Sequence, residues 1–334
     1  MKYLIGLFLI LFSAGSIHAQ WFKKNRDASI CPEGYIPIPA GSFRMGDNFE
    51  NIFKMPVNVR KVSISNFFFK KTEVTNEEYK EFVEWVKDSL GIGGDYSRSE
   101  IIYQINEKQE IGIIPDSSVW SNTRDNYAPA YFSYFTNDKY KNYPVVGITF
   151  EQAQAYCHWL TLIDKNSERI FHLPTEAQWE YAAGIAKDNG KRNKFPWPGA
   201  DCKTMKGLRT ANYKIGPGQY VGAGSGEVIY TKRVKEYFPS FIGLYDLGGN
   251  VAEWCMDSYI PVYSDVDKDP VYVDRNSEIK VIRGGSWKAP WYFMQGAARC
   301  FAPKSIPRNY IGFRPAATII GAKSRHEMYK KYFK

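Results

Sequence analysis

Histidine is scarce. The 334-residue chain carries four, His18, His158, His172 and His326, too few for a clustered three-histidine metal centre, which removes a large set of metalloenzymes. Cysteine is sparse as well: Cys31, Cys157, Cys202, Cys255 and Cys300, with no C-x-x-C pair. A zinc ribbon, a thioredoxin-like redox site and a disulfide-dense scaffold are thereby excluded, and one thiol must stay unpaired or bridge to another chain. No apolar run approaches the roughly 20 residues a spanning helix needs. Internal repeats and low-complexity tracts are absent. What is abundant is aromatic: 9 Trp, 24 Tyr and 21 Phe in a chain 44% apolar and 24% charged. Such a chain can bury a full-sized core, so extended disorder, coiled coil and collagen are excluded.

The first residues read as an export signal. Lys2 supplies the positive end, Leu4 to Phe12 the short apolar run and Ala19 the small residue at the cut, so cleavage after Ala19 is expected. Ile30, directly before Cys31 and well past the apolar run, argues against a lipid-attachment site there. The formal charge of +9 loses one unit with Lys2, and part of the remainder lies in a basic tail over 319–334, read as a solvated end.

Residues 20–32 read as a linker and 33–318 as one large domain. Tyr35 to Pro39 is extended and broken by prolines, and Val57 to Phe69 alternates as a strand does. Thr75 followed by Glu78 is a capping box, opening a helix with Tyr79, Phe82, Val83 and Val86 on its buried face. A second helix is expected from about Thr149 to Leu162, with Ala153, Tyr156, Cys157 and Leu160 on one face. A third begins at Pro174 to Ala177 and turns Trp179 and Ala183 inward. Beyond Gly184, glycine, proline and aromatics crowd together, and short strands with long loops are expected. The fold class that follows is α+β, a single large irregular domain.

Eight blocks carry a resemblance. They are Gly41 to Gly46, Thr72 to Asn76, Pro144 to Gly147, Tyr156 to Trp159, Leu173 to Ala183, Gly243 to Trp254 (Gly-Leu-Tyr-Asp-Leu-Gly-Gly-Asn-Val-Ala-Glu-Trp), Arg283 to Trp287 and Gly312 to Arg314. In that order they resemble the formylglycine-generating enzyme, or sulfatase-modifying factor, domain over about residues 33–318. The resemblance implies a C-type-lectin-like fold, loop-rich with short strands and a few helices.

Within the longest block, Asp246 and Glu253 supply two hard carboxylates seven residues apart, and the glycine-bent stretch between them can aim main-chain carbonyls at one point, a donor set suited to calcium. The resemblance implies a structural Ca2+ held by Asp246 and Glu253 through side chains and by Gly249 and Val251 through main-chain oxygens. The competing reading has Asp246 capping a turn and Glu253 paired with an arginine such as Arg283 or Arg299. A second calcium site of the resembling family would involve Asn212 and Tyr213, but its acidic partner is not recognisable here.

The catalytic members of that family bind copper through two cysteines shortly after the Arg-Gly-Gly-Ser block; thiolates are the ligands Cu(I) requires. The matching positions here are Ala289 and Met294. No copper is expected. Cys300 lies out of register and reads as buried or disulfide-bonded. Cys157 matches a family cysteine whose usual partner position is Pro315. His158 and His172 flank apolar helix-face residues, as packed or capping histidines do, and Ser286 has no base close in sequence. A related branch that holds iron with three histidines is excluded by the histidine count.

Thr72 to Ser89, with its Trp-Val-Lys-Asp-Ser helix end, Tyr131 to Ser133, the long insertion 91–142 and Tyr143 to Ala155 resemble the gliding-motility and type IX secretion proteins GldK/PorK and their relative GldJ. That resemblance implies a non-catalytic ring scaffold in the periplasm, on the inner face of the outer membrane, with a GldN/PorN-like partner. Those proteins are usually lipoproteins; this chain departs from them at the signal boundary. Two other readings stand beside it: a copper- and oxygen-dependent formylglycine-generating enzyme, and a lectin-like glycan or peptide binding module presenting aromatic loops such as Trp287 to Phe293.

Overall fold

A computed structural model describes residues 31–46, 59–91, 102–106, 109–121, 133–166, 168–185, 192–199, 201, 209–214, 230–261, 272–274 and 276–320. The export signal, most of the linker, Cys202 and most of the basic tail lie outside these residues.

The chain opens with strands β1 (Tyr35–Ile38), β2 (Gly41–Met45), β3 (Arg60–Ile64) and β4 (Phe67–Lys70), then helix α1 (Asn76–Leu90). After β5 (Ile102–Asn106) and β6 (Gln109–Gly112) come α2 (Phe150–Ile163), β7 (Arg169–His172) and α3 (Glu176–Gly184). The second half holds β8 (Ala252–Ser258), β9 (Ile279–Arg283), β10 (Cys300–Pro303), β11 (Ile311–Gly312) and β12 (Ala316–Ile319). Three α-helices and many short strands among the described residues, joined by long loops, make this a single α+β domain.

All three helices start the same way. Thr75, Thr149 and Thr175 each accept from the backbone N–H three residues on, while Glu78, Gln152 and Gln178 reach back to the cap N–H. Each such cap satisfies donors the helix itself leaves open, worth about 1 kcal/mol. α1 ends on Gly91, whose left-handed φ of 66° closes the last turn. The expected inward faces are buried: Tyr79, Phe82, Val83 and Val86 on α1, Ala153, Tyr156 and Cys157 on α2, Trp179 and Ala183 on α3. Leu160 is half-buried at the margin of the same core.

Two four-stranded sheets, ordered β1-β4-β12-β7 and β10-β9-β8-β11, run antiparallel except for the parallel β11–β8 pair. Two-stranded hairpins β2-β3 and β5-β6 stand apart. The expected single strand from Val57 to Phe69 is instead two, β3 and β4, which pair into different sheets. The break at Ser65-Asn66 lets β4 leave the β2 hairpin and enter the interior. There its alternation works on two cores: Phe68 packs with α1 and α2, while Phe67 and Phe69 pack with α3. β8 and β9 are likewise two-sided, with Trp254 and Ile282 facing the first core, Cys255 and Val281 the second. A strand wet on one face would show polar residues at alternate positions; all seven residues of β8 are buried.

Candidate functional site

Burying β8 on both faces puts Glu253 in the interior, and an unpaired buried carboxylate would cost several kcal/mol. β11 solves this. Its parallel pairing sets Gly312 opposite Glu253, so Arg314, two residues on, reaches the carboxylate. Arg314 Nη2 donates to Oε1 at 2.6 Å and Nε to both oxygens at 2.9 and 2.8 Å, while Trp179 Nε1 donates to Oε2 at 2.7 Å. The remaining guanidinium protons go to the carbonyls of Lys70, Lys71 and Tyr245. One fully buried arginine thus ties β4, β8 and the 243–250 loop together.

The loop itself is bent by left-handed residues: Asp246 at φ 56°, Gly249 at 87° and Asn250 at 58°. At Gly249 a Cβ would come within 2.5 Å of the Asn212 carbonyl, so only glycine fits. Asn250 N donates to that carbonyl, and Asn250 Nδ2 donates to the buried Glu73 at 2.7 Å. Val251 N donates to the other Glu73 oxygen at 3.1 Å. Burial first, then the charges of Asp246 and Glu253, pushes the Glu73 carboxyl well above its ordinary range. Asp246 Oδ2 accepts from Lys235 N at 2.8 Å, and burial raises its carboxyl to about 6.

Asp246, Gly249, Val251 and Glu253 share one loop and strand, where a calcium ion would take six to eight oxygen contacts. A carboxylate offers about four lone-pair sites, and the four donor contacts on Glu253 come from a guanidinium and an indole. The positive charge beside Glu253 is Arg314. The arginine pairing expected for Glu253 is present, with a different arginine from the two the sequence suggested. Among the described residues no group of three or more His, Cys, Asp or Glu side chains converges as a metal site. Asn212, which with Tyr213 belongs to the second calcium expectation, donates through Nδ2 to the Tyr230 carbonyl and the Asn250 side chain.

Arg283 is spent elsewhere, on α3. Glu176 and Glu180 lie one helical turn apart on one face. Glu180 takes Arg283 in a short ion pair, and also accepts from Gly46 N at 2.8 Å and Arg192 Nη1 at 3.1 Å. Glu176 takes Arg299 through two hydrogen bonds of 2.7 and 3.0 Å. Arg283 also donates through Nη1 to the carbonyls of Ala297 and Ala298 and through Nη2 to that of Gly296, fixing the backbone just beyond Met294.

Between these frames the segment after Ser286 is apolar. Met294 is fully buried with Phe195, Trp197, Ala211 and Tyr213, and Ala289, Trp291 and Phe293 pack against them. Phe195 and Trp197 stack at 4.8 Å, and Lys194 Nζ lies over the rings of Phe195 and Trp291. The methyl of Met294 fills the space beside Gly285, where a Cβ would approach it to 2.4 Å. Ala289 is held by its backbone, which donates to Ser286 O and accepts from Lys214 N. Neither position offers a thiolate.

The described cysteines offer none either. Burial raises the thiols of Cys31 and Cys300 to about 11 and pushes those of Cys157 and Cys255 well above their ordinary value, which disfavours the thiolate form of a nucleophile at neutral pH. The two described histidines, His158 and His172, are packed, as expected. His172 Nδ1 donates to Leu173 O and its Nε2 accepts from Thr318. His158 shares a 2.6 Å hydrogen bond with Tyr103, and burial lowers it to about 4. Ser286 Oγ accepts from Lys288 N.

The family profile described as the sulfatase-modifying factor enzyme 1-like domain matches residues 22–319. The chain is 29% identical over 266 residues to a formylglycine-generating enzyme of Streptomyces coelicolor, covering 76% of this chain and 78% of that one. It is 26% identical over 258 residues to the inactive C-alpha-formylglycine-generating enzyme 2 of Mus musculus, covering 75% and 73%. Among solved structures, PvdO from Pseudomonas aeruginosa superposes with a TM-score of 0.58 at 22% identity over 85% of this chain and 94% of that one.

Proposed function

From the premise that this chain belongs to the sulfatase-modifying factor enzyme 1-like family, we propose that it uses the family fold without the family chemistry, as a structural component of a type IX secretion and gliding-motility assembly. The observation that carries this reading is the apolar packing of half-buried Ala289 and buried Met294, the two positions where the resembling enzymes bind copper. A thiolate pair is a chemical requirement for holding Cu(I), and an alanine with a buried thioether does not meet it. Family members without the activity exist, as the name of the mouse relative states.

The assembly is assigned on the segments Thr72 to Ser89, Tyr131 to Ser133 and Tyr143 to Ala155, which resemble GldK/PorK and GldJ. In this reading the exported chain sits in the periplasm against the inner face of the outer membrane, in a ring with a GldN/PorN-like partner. Cross-linking in cell envelopes followed by pull-down tests it. Recovery of the ring partner is expected; repeated recovery of no secretion component overturns the assignment.

A second reading, a copper- and oxygen-dependent formylglycine-generating enzyme, is favoured by the identity to the Streptomyces enzyme across most of both chains. The two readings part on whether the isolated protein converts a cysteine to formylglycine.

A further inference from the structure

Helix α1 turns one face outward. Glu81, Trp85 and Asp88 stand at i, i+4 and i+7 of that face and are all exposed, with Leu90 exposed at the helix end. Trp85 is 38% exposed, whereas every other described tryptophan is buried except the half-buried Trp291. The neighbouring carboxylates have partners: Glu77 pairs with Lys141, Glu78 with Lys70 and Glu84 with Lys87. Glu81 and Asp88 make no ion pair among the described residues. Burial first, then the charges of Glu78 and Glu77, raises the Glu81 carboxyl above its ordinary value, a shift that a cation beside it would oppose. A tryptophan ring between two such carboxylates suits lysine or arginine side chains, whose stems cover the ring while their charged heads reach the acids. A second copy of the same face fits badly, because it would bring like charges together.

The chain carries such side chains itself. Residues 321–334 include Lys323, Arg325, Lys330, Lys331 and Lys334 against the single acid Glu327, interleaved with Met328, Tyr329, Tyr332 and Phe333. The described chain leaves for this segment at Ile320. There its N–H donates to Glu168 O, in the connection between α2 and β7, and its side chain shares one core with Val86 of α1. Rings of α1 and α2 meet in chain order, Tyr79 on Tyr156 and Phe82 on Trp159, so both helices run toward that connection. The 15 residues of α1 span about 22 Å, and residues 321–334 reach about 45 Å when extended. That length suffices to follow α1 back past Trp85 to Glu81.

We propose that segment 321–334 of the same chain lies along the exposed face of α1, with its lysine ammonium groups at Glu81 and Asp88 and its apolar side chains over Trp85 and Leu90. The contact is independent of both functional readings above. Cross-linking of the purified chain and the envelope pull-down fail separately.

The test is zero-length carbodiimide cross-linking of the full exported chain, in a dilute mixture of isotope-labelled and unlabelled protein, with the products mapped by mass spectrometry. Amide links from Glu81 or Asp88 to Lys323, Lys330, Lys331 or Lys334 are expected, each within a single isotopic form. Trp85→Ser leaves every cross-linking group in place and should lower their yield several-fold at unchanged melting behaviour. Lys330→Glu combined with Lys331→Glu should lower the yield at Lys323 and Lys334 in the same way. Links joining labelled to unlabelled chains would place a second copy on the face and overturn the proposal. Links from these lysines only to other carboxylates, no link from them at all, or yields unchanged in either variant would overturn it equally.

Discussion

Arg283 and Met294 lie eleven residues apart and are both fully buried, yet they belong to opposite kinds of interior. Arg283, like Arg314, is matched by a buried glutamate and by main-chain carbonyls, so each guanidinium fastens several separate segments. The region around Ala289 and Met294 is aromatic and aliphatic, and its backbone is placed by the arginine frame. The ion pairs that hold the loops involve neither Ala289 nor Met294.

Breaking the frame should have the largest effect. Arg314→Met leaves Glu253 buried without its cation and should destabilise the protein by about 3–5 kcal/mol, read by urea denaturation. Adding Glu253→Gln to that variant should recover part of the loss, because a neutral amide is cheaper to bury than an unpaired charge. Truncating the apolar region should cost less or the same. Met294→Ala removes dispersion contacts and opens a cavity, worth about 2–5 kcal/mol, with no dependence on salt or pH.

A smaller, signed effect comes from His158. Burial lowers its folded-state value to about 4 from an ordinary 6.5, so the folded protein prefers the neutral ring. That contribution is fully present above pH 6.5 and is lost as pH falls toward 4, where the unfolded chain takes the proton first. Denaturation curves between pH 7 and 4 should show the decline in the wild type and a shallower one in His158→Gln. The smallest effect expected is that of a chelator. With Arg314 supplying a positive charge at Glu253, an unchanged melting temperature on removal of calcium would favour the arginine pairing alone, and a drop of several degrees would favour a structural calcium at Asp246, Gly249, Val251 and Glu253.

Local chemistry was the legible part of the fold. Thr75 and Glu78 announce a helix start because the capping box is complete within four residues, and the inward faces of all three helices follow from their periodicity. Ala289 and Met294 could be read because their departure is one of residue type at a fixed distance from Arg283. The partners of the buried glutamates could not. Glu253 meets Arg314 across 61 residues, through a two-residue parallel pairing of β11 on β8, and Glu180 meets Arg283 across 103. Nothing near either residue in sequence encodes which arginine arrives. Glu73, whose interactions with Asn250 and Val251 close the bent loop, sits two residues before a helix cap, and its partners lie 177 and 178 residues away. The division of Val57 to Phe69 into two strands was hidden for the same reason, since alternation alone does not say that a second sheet begins at Phe67.

The claim that the fold is kept without the chemistry is tested most directly by incubating the purified protein with copper, oxygen and a cysteine-containing sulfatase-motif peptide and analysing the peptide by mass spectrometry. The account predicts unmodified cysteine, under conditions in which a formylglycine-generating enzyme converts the same peptide. Formylglycine in the peptide, formed by this chain and abolished by heat denaturation, would contradict it.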